Sequence, residues 1–195
     1  MATDNRGVAL IDVLVATGLA LVMTAIAVPV IGGTLDREHV ITGTQYLAAQ
    51  VQRARLESLK RATSVAVRLE VLDGRTAVQL FVDGNGSGVL ERDIDERIDP
   101  ALTGLEWLDD HARDVSLRIN QPIQDVTGTV ALNPGDDPLR IGGTALVSFS
   151  PLGSSTSGTL YLSGRRGPQM AIRIYGGTGR VRVLTFDRAA QQWRP

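Results

Sequence analysis

From Val13 to Leu35 the chain carries no charged side chain, and a single acid, Asp12, stands immediately before this run. Twenty-three residues in helical conformation reach about 35 Å, more than the roughly 30 Å hydrocarbon core of a bilayer. One membrane entry near the start of the chain is therefore expected, with residues 8–31 as the transmembrane part of a helix over 8–62. A carboxylate at the edge of such a run costs a few kcal/mol on insertion, so Asp12 calls for a cationic partner. A polar leader, MATDNR, precedes Gly7 and Val8. The long polar remainder is expected to cross that membrane, leaving the short end on the other side.

The residues from Arg6 onward read R-G-V-A-L-I-D-V-L-V. This resembles the class III signal of type IV pilins and type II secretion pseudopilins, in which a prepilin peptidase cuts after a glycine and methylates the new amino terminus. The resemblance implies a leader over 1–7, cleavage after Gly7 and N-methylation of Val8. Asp12 then becomes the fifth mature residue, where the family usually has Glu, and Pro29 falls where pilins commonly carry a helix-kinking proline. Asp12 and Pro29 are thereby implied in assembly. A secretory signal peptide cut after Ala25-Ile26-Ala27 is opposed by Asp12 inside its apolar region and by an apolar run that continues to Ile31. A plain membrane anchor leaves the spacing of Gly7, Asp12 and Pro29 unaccounted for.

With 195 residues and 43% hydrophobic content, about 130 residues remain after the helix, a common size for one domain. The absence of cysteine excludes disulfides and thiolate chemistry. Helical periodicity places Val40, Leu47, Val51, Ala54 and Ser58 on or near one face and Gln45, Gln52, Arg53, Lys60 and Arg61 opposite. From Ser64 the period becomes two: Val65, Val67, Leu69 and Val71 alternate with Ala66, Arg68 and Glu70, and Asp73-Gly74 turns the chain into Val78, Leu80 and Val82. A short helix is expected within Ala101 to Ala112, with Leu105 and Leu108 inward. Later strands are predicted at Val115 to Ile119, Thr127 to Leu132, Ala145 to Ser150, Thr159 to Leu162, Gln169 to Tyr175 and Arg180 to Thr185. The fold class expected is α+β: a long N-terminal helix, transmembrane then amphipathic, packed on an antiparallel β-sheet domain over 63–195.

Three stretches narrow the resemblance to the GspH/FimT family of minor pilins. L-A-A-Q-V-Q-R-A-R-L-E-S-L-K-R over 47–61 resembles its second helical half, F-V-D-G-N-G-S-G over 81–88 its glycine-rich turn, and S-F-S-P-L-G over 148–153 with G-R-V-R over 179–182 its C-terminal half. The resemblance implies a pilin-like fold and a noncatalytic minor pseudopilin of a type II secretion pseudopilus or a type IV pilus tip. Its expected setting is the inner membrane, spanned once, with the sheet domain in the periplasm. Its partners would be other pilin or pseudopilin subunits and the prepilin peptidase.

Charge is unevenly placed although the formal net is −1. Residues 140–195 hold eight arginines against one acid, whereas residues 70–139 hold five arginines against fifteen acids. If the turn Gly176 to Gly179 joins its strands symmetrically, Tyr175 faces Arg180 and Arg173 faces Arg182 on one side of the sheet. In FimT-type pilins a terminal G-R-x-R motif is associated with DNA uptake, which makes Arg173, Arg180 and Arg182 candidate DNA contacts. The alternative is a solvated strand face balanced by acids of this or a neighbouring subunit.

Other chemistry is not expected. Asp83, Asn85, Ser87 and Gly88 start like an EF-hand loop, but Ile94 stands where a bidentate Glu is needed, so a glycine-rich turn is the better reading. His39 and His111 lack metal-ligand spacing. Glu91, Asp93, Asp95, Glu96 and Asp99 read as a solvated acidic loop. Gly153 to Gly158 reads as a surface loop. No cofactor or metal is called for.

Overall fold

The structure is a computed structural model describing residues 6–165 and 167–195, with side chains described for 10–25, 33–165 and 167–195. The chain is α+β, with an N-terminal helix and antiparallel sheets. Helix α1 runs Arg6–Arg61 and stops where Ala62 takes a left-handed conformation at φ 52°. Two units are distinguished, Met1–Leu35 and Asp36–Pro195.

In the first unit, the large apolar side chains from Leu10 to Met23 point into solvent, Leu10 and Met23 each 66% exposed. Thr17 and Thr24 turn their hydroxyls back onto carbonyls one turn earlier, at 2.8 and 2.7 Å, which gives each hydroxyl an acceptor within the helix. Asp12 is exposed. Among the described residues no helix is long and apolar enough to cross a membrane. The expected site residues Gly7, Val8 and Pro29 lie outside the residues whose side chains are described.

The second unit begins with the remainder of α1. Its strands and short helices follow as β1 (Val65–Leu72), β2 (Arg75–Val82), α2 (Glu91–Asp95), β3 (Glu106–Trp107), α3 (Leu108–His111), β4 (Ser116–Leu117), β5 (Ile123–Gln124) and β6 (Ala131–Leu132). After these come β7 (Leu139–Arg140), β8 (Leu146–Phe149), β9 (Gly158–Ser163), β10 (Gln169–Tyr175), β11 (Arg180–Asp187) and β12 (Gln192–Arg194). One sheet has the order β3-β2-β1-β8, the other β12-β11-β10-β9-β4 with β7 also on β9, and β5 pairs with β6.

The expected helix face is the buried one: Val40, Leu47, Val51, Ala54 and Ser58 are all fully enclosed. The four apolar residues among them meet Val65, Val67 and Leu69 of β1, Leu80 of β2, and Leu160, Leu162, Ile172 and Ile174 of the second sheet in one core. Because side chains alternate along a strand, the opposite face of the second sheet makes a separate cluster around Tyr161, Ala171, Leu184 and Phe186, roofed by the β5–β6 hairpin and Trp193. The β1–β2 hairpin turns at Asp73 and Gly74, both at positive φ (51° and 76°), and pairs Val65 with Val82 through Leu72 with Arg75.

Several expectations are corrected. The short helix expected within Ala101 to Ala112 is the single turn α3, preceded by β3, and of its two expected inward residues Leu108 is buried while Leu105 is exposed. Only Ala131–Leu132 of the segment from Thr127 forms a strand, because the Asp125 carboxylate accepts the Thr129 and Val130 amides and draws residues 125–130 into a tight turn. Val115 to Ile119 shrinks to Ser116–Leu117. The acidic loop is not uniformly solvated: Asp93 and Asp99 are each only 1% exposed. Asp99 accepts the Gly84 and Leu90 amides, and Asp93 accepts from Asn85, Ser87 and Arg92. Asp83 accepts the amides of Asn85, Gly86 and Gly88, so the EF-hand-like oxygens are engaged by the loop's own donors.

Helix α1 is also tied down by a polar cluster. Tyr46 donates to Glu106, Gln50 donates to both, and His111 stacks on the Tyr46 ring at 3.9 Å. Burial, then the bond to Glu106, pushes the Tyr46 phenol up to about 12. A proton held more tightly when folded contributes stability that is complete below the unfolded value, 10.0, and is lost as pH rises toward 12. Tyr46→Phe should therefore show a smaller fall in urea midpoint than the wild type between those pH values.

Candidate functional site

The outer face of the second sheet at its β10–β11 turn gathers the basic residues. Arg173 of β10 pairs with Arg182 of β11, and Tyr175 pairs with Arg180, as symmetric joining of the turn requires. Arg173 also pairs with Thr159 of β9, which pairs with Arg140 of β7. Because directly paired residues share a face, Arg140, Thr159, Arg173 and Arg182 form one row across four strands. Arg173 donates to the Thr159 hydroxyl at 2.8 Å and lies 5.8 Å from the Tyr175 ring centre.

Like charges set side by side repel unless an anion compensates them. Among the described residues, none of Arg140, Arg173, Arg180 and Arg182 is ion-paired with a carboxylate. A groove of about 690 Å³ runs beside them, lined by Arg55, Tyr175, Gly177, Thr178, Arg180 and Arg182. The turn brings Gly179 against the Arg55 side chain, and Arg55 Nε is buried without a hydrogen-bond partner.

A smaller cavity of about 100 Å³ at the other end of the row is lined by Asp125, Arg140, Thr159, Tyr161 and Arg173 with Val130 and Leu132. Burial opposes ionisation of Asp125, but hydrogen bonds from Thr127, Val130 and Thr129 together hold its carboxyl below the usual range. One negative charge therefore borders an otherwise basic row. Burial pushes the Tyr161 phenol up, and its oxygen accepts the Val126 amide at 3.2 Å.

The sheet thus brings together Arg173, Arg180 and Arg182. It adds two residues that sequence reasoning missed. Arg140 is obscured by the brevity of β7, two residues that read as loop. Arg55 stands two residues from Arg53 and reads like it as a solvated helix arginine; it is instead half-buried and lines the groove, while Arg53 is exposed. Among the described residues no group of His, Asp or Glu could hold a metal ion. Comparison with protein-family models, with curated proteins and with solved structures returns no match.

Proposed function

We propose that the chain is a minor pilin-like subunit, a noncatalytic component of a type II secretion pseudopilus or of a type IV pilus tip. The observation that carries this reading is the apolar surface of α1 between Leu10 and Met23, exposed on every side. Proteins seldom leave so much contiguous apolar surface in water, and a lipid bilayer or a bundle of like helices is the environment that covers it. The spacing of Gly7, Asp12 and Pro29 supports the pilin form of that environment, and the antiparallel sheet domain packed on the second half of α1 is compatible with it. In this reading the subunit sits in the inner membrane, spans it once and presents the sheet domain in the periplasm. The prepilin peptidase processes it, and its neighbours are other pilin or pseudopilin subunits.

The deciding measurement is the intact mass and amino-terminal sequence of protein made in a host with a prepilin peptidase. The expected chain begins at N-methylated Val8. A chain beginning at Val28 would mean signal-peptidase processing and would remove the pilin reading.

The row of arginines without carboxylate partners favours a second reading, a DNA-binding minor pilin. Phosphates would then supply the missing anions at Arg173, Arg180 and Arg182. Each phosphate neutralised contributes about −0.9 to the slope of log affinity against log salt, so three give a slope near −3. Arg180→Gln with Arg182→Gln should flatten it by about two, equally for unrelated duplexes. Arg53→Gln is the control, since Arg53 is exposed and outside the groove. Salt-titrated fluorescence anisotropy reads the difference, and a slope unchanged in the double variant rejects this second reading.

A further inference from the structure

We propose that the outer edge of β11 from Arg180 to Leu184, with the groove beside it on α1, docks an extended segment of another polypeptide. The segment it fits alternates carboxylate with apolar side chains. β11 is eight residues long, yet β12 pairs only with Thr185 to Asp187. In an antiparallel sheet every second residue turns its N–H and C=O away from a given neighbour. From Arg180 to Leu184 those outward groups meet no backbone partner among the described residues. Such an edge is a template for strand addition.

The surroundings specify the guest. Arg180 and Arg182 stand on the outer face, and Val181 and Val183 on the other, where they pack against the main core. Next to Val181, a groove of about 440 Å³ is lined by Gln52, Arg55, Leu56, Leu59 and Arg180. Leu56 and Leu59 are 56% and 49% exposed, so the groove has an apolar wall without a cover. An added strand continues both patterns: its carboxylates fall beside Arg180 and Arg182, and its apolar side chains lie over Val181, Leu56 and Leu59. Charge complementarity selects the acidic guest, because Arg55, Arg180 and Arg182 have no carboxylate in ion-pair contact among the described residues. The same arginines repel the β11 edge of a second copy, which keeps an open edge from pairing with itself.

The inference does not depend on membrane insertion or on processing after Gly7. The test uses the full chain in detergent micelles, titrated with a labelled octapeptide of alternating Glu and Val, with fluorescence anisotropy and amide exchange as readouts. The peptide should bind, and amides between Arg180 and Leu184 should gain protection from exchange. A peptide N-methylated at alternate amides should bind at least roughly tenfold more weakly, because strand addition works through main-chain hydrogen bonds. An alternating Lys and Val peptide should fail. Arg180→Glu with Arg182→Glu should also weaken binding by roughly tenfold or more, with the circular dichroism spectrum unchanged. Equal binding of the N-methylated peptide or of oligoglutamate overturns the proposal. So does displacement of the peptide by duplex DNA without any protection of β11, which would make the face a general polyanion surface. Absence of binding overturns it as well.

Discussion

Gly158→Ala should lower stability by about 3 kcal/mol, the upper end of what overpacking a closed core costs. For a chain of this size that corresponds to a fall in melting temperature of roughly 6–12 °C. A Cβ built at Gly158 would lie 2.3 Å from the Arg140 carbonyl oxygen and 2.6 Å from the Ile141 Cα. These are backbone atoms, so no rotamer change relieves the contact, and β7 has to move off β9. The displacement also carries Arg140 out of its row with Thr159 and Arg173. Gly177→Ala is the matched control in the same half of the domain: nothing lies within 4 Å of its added methyl, and its melting temperature should stay close to that of the wild type. Scanning calorimetry or thermal circular dichroism of the two variants makes the comparison. Equal melting temperatures would mean that β7 is not held against β9.

Asp12→Ala should abolish co-purification of partner subunits while leaving the protein in the membrane fraction. In the proposed filament the Asp12 carboxylate meets the amino terminus of a neighbouring Val8. Two unit charges about 4 Å apart attract by roughly 4 kcal/mol at an effective dielectric of 20, before the cost of desolvating both is subtracted. Removing one partner leaves the other charge uncompensated in a low-dielectric bundle, which is the costlier half of the change. Asp12→Glu should retain assembly, because it keeps the charge and restores the residue usual in the family that the amino terminus resembles. A variant lacking the carboxylate that still co-purifies with its partners in wild-type amounts would remove Asp12 from assembly.

Much of the sheet could be read from short-range pattern. Asp73-Gly74 required a tight turn, and with the strand period of two it set the register from Val65 with Val82 to Leu72 with Arg75. The four-residue turn Gly176 to Gly179 likewise brings Arg173 opposite Arg182 by local geometry alone. The buried helix face from Val40 to Ser58 followed from its 3.6-residue repeat. Each of these is a local property, in which neighbouring residues decide the geometry.

The middle of the chain was not legible in the same way. β3 to β7 are two-residue strands, too short for a period to show. Three of them exist because longer strands offer an edge: β2 for β3, β9 for β4 and β7. The acidic loop misled for a related reason. An aspartate at the end of a charge-rich stretch looks solvated, yet folding turns Asp99 inward onto the Gly84 and Leu90 amides, because a buried donor has to find an acceptor.

By itself, then, the sequence determined the helix, its buried stripe, the two hairpins and the facing arginines, since these rest on spacing along one segment. Only the tertiary structure decided that Arg140 and Arg55 join them, that Asp93 and Asp99 are interior, and that β11 keeps an open edge. Those features depend on which distant segments meet. Contacts between residues such as Arg55 and Gly179 leave no periodic trace in either segment, because the pairing arises from packing helix and sheet around one shared core.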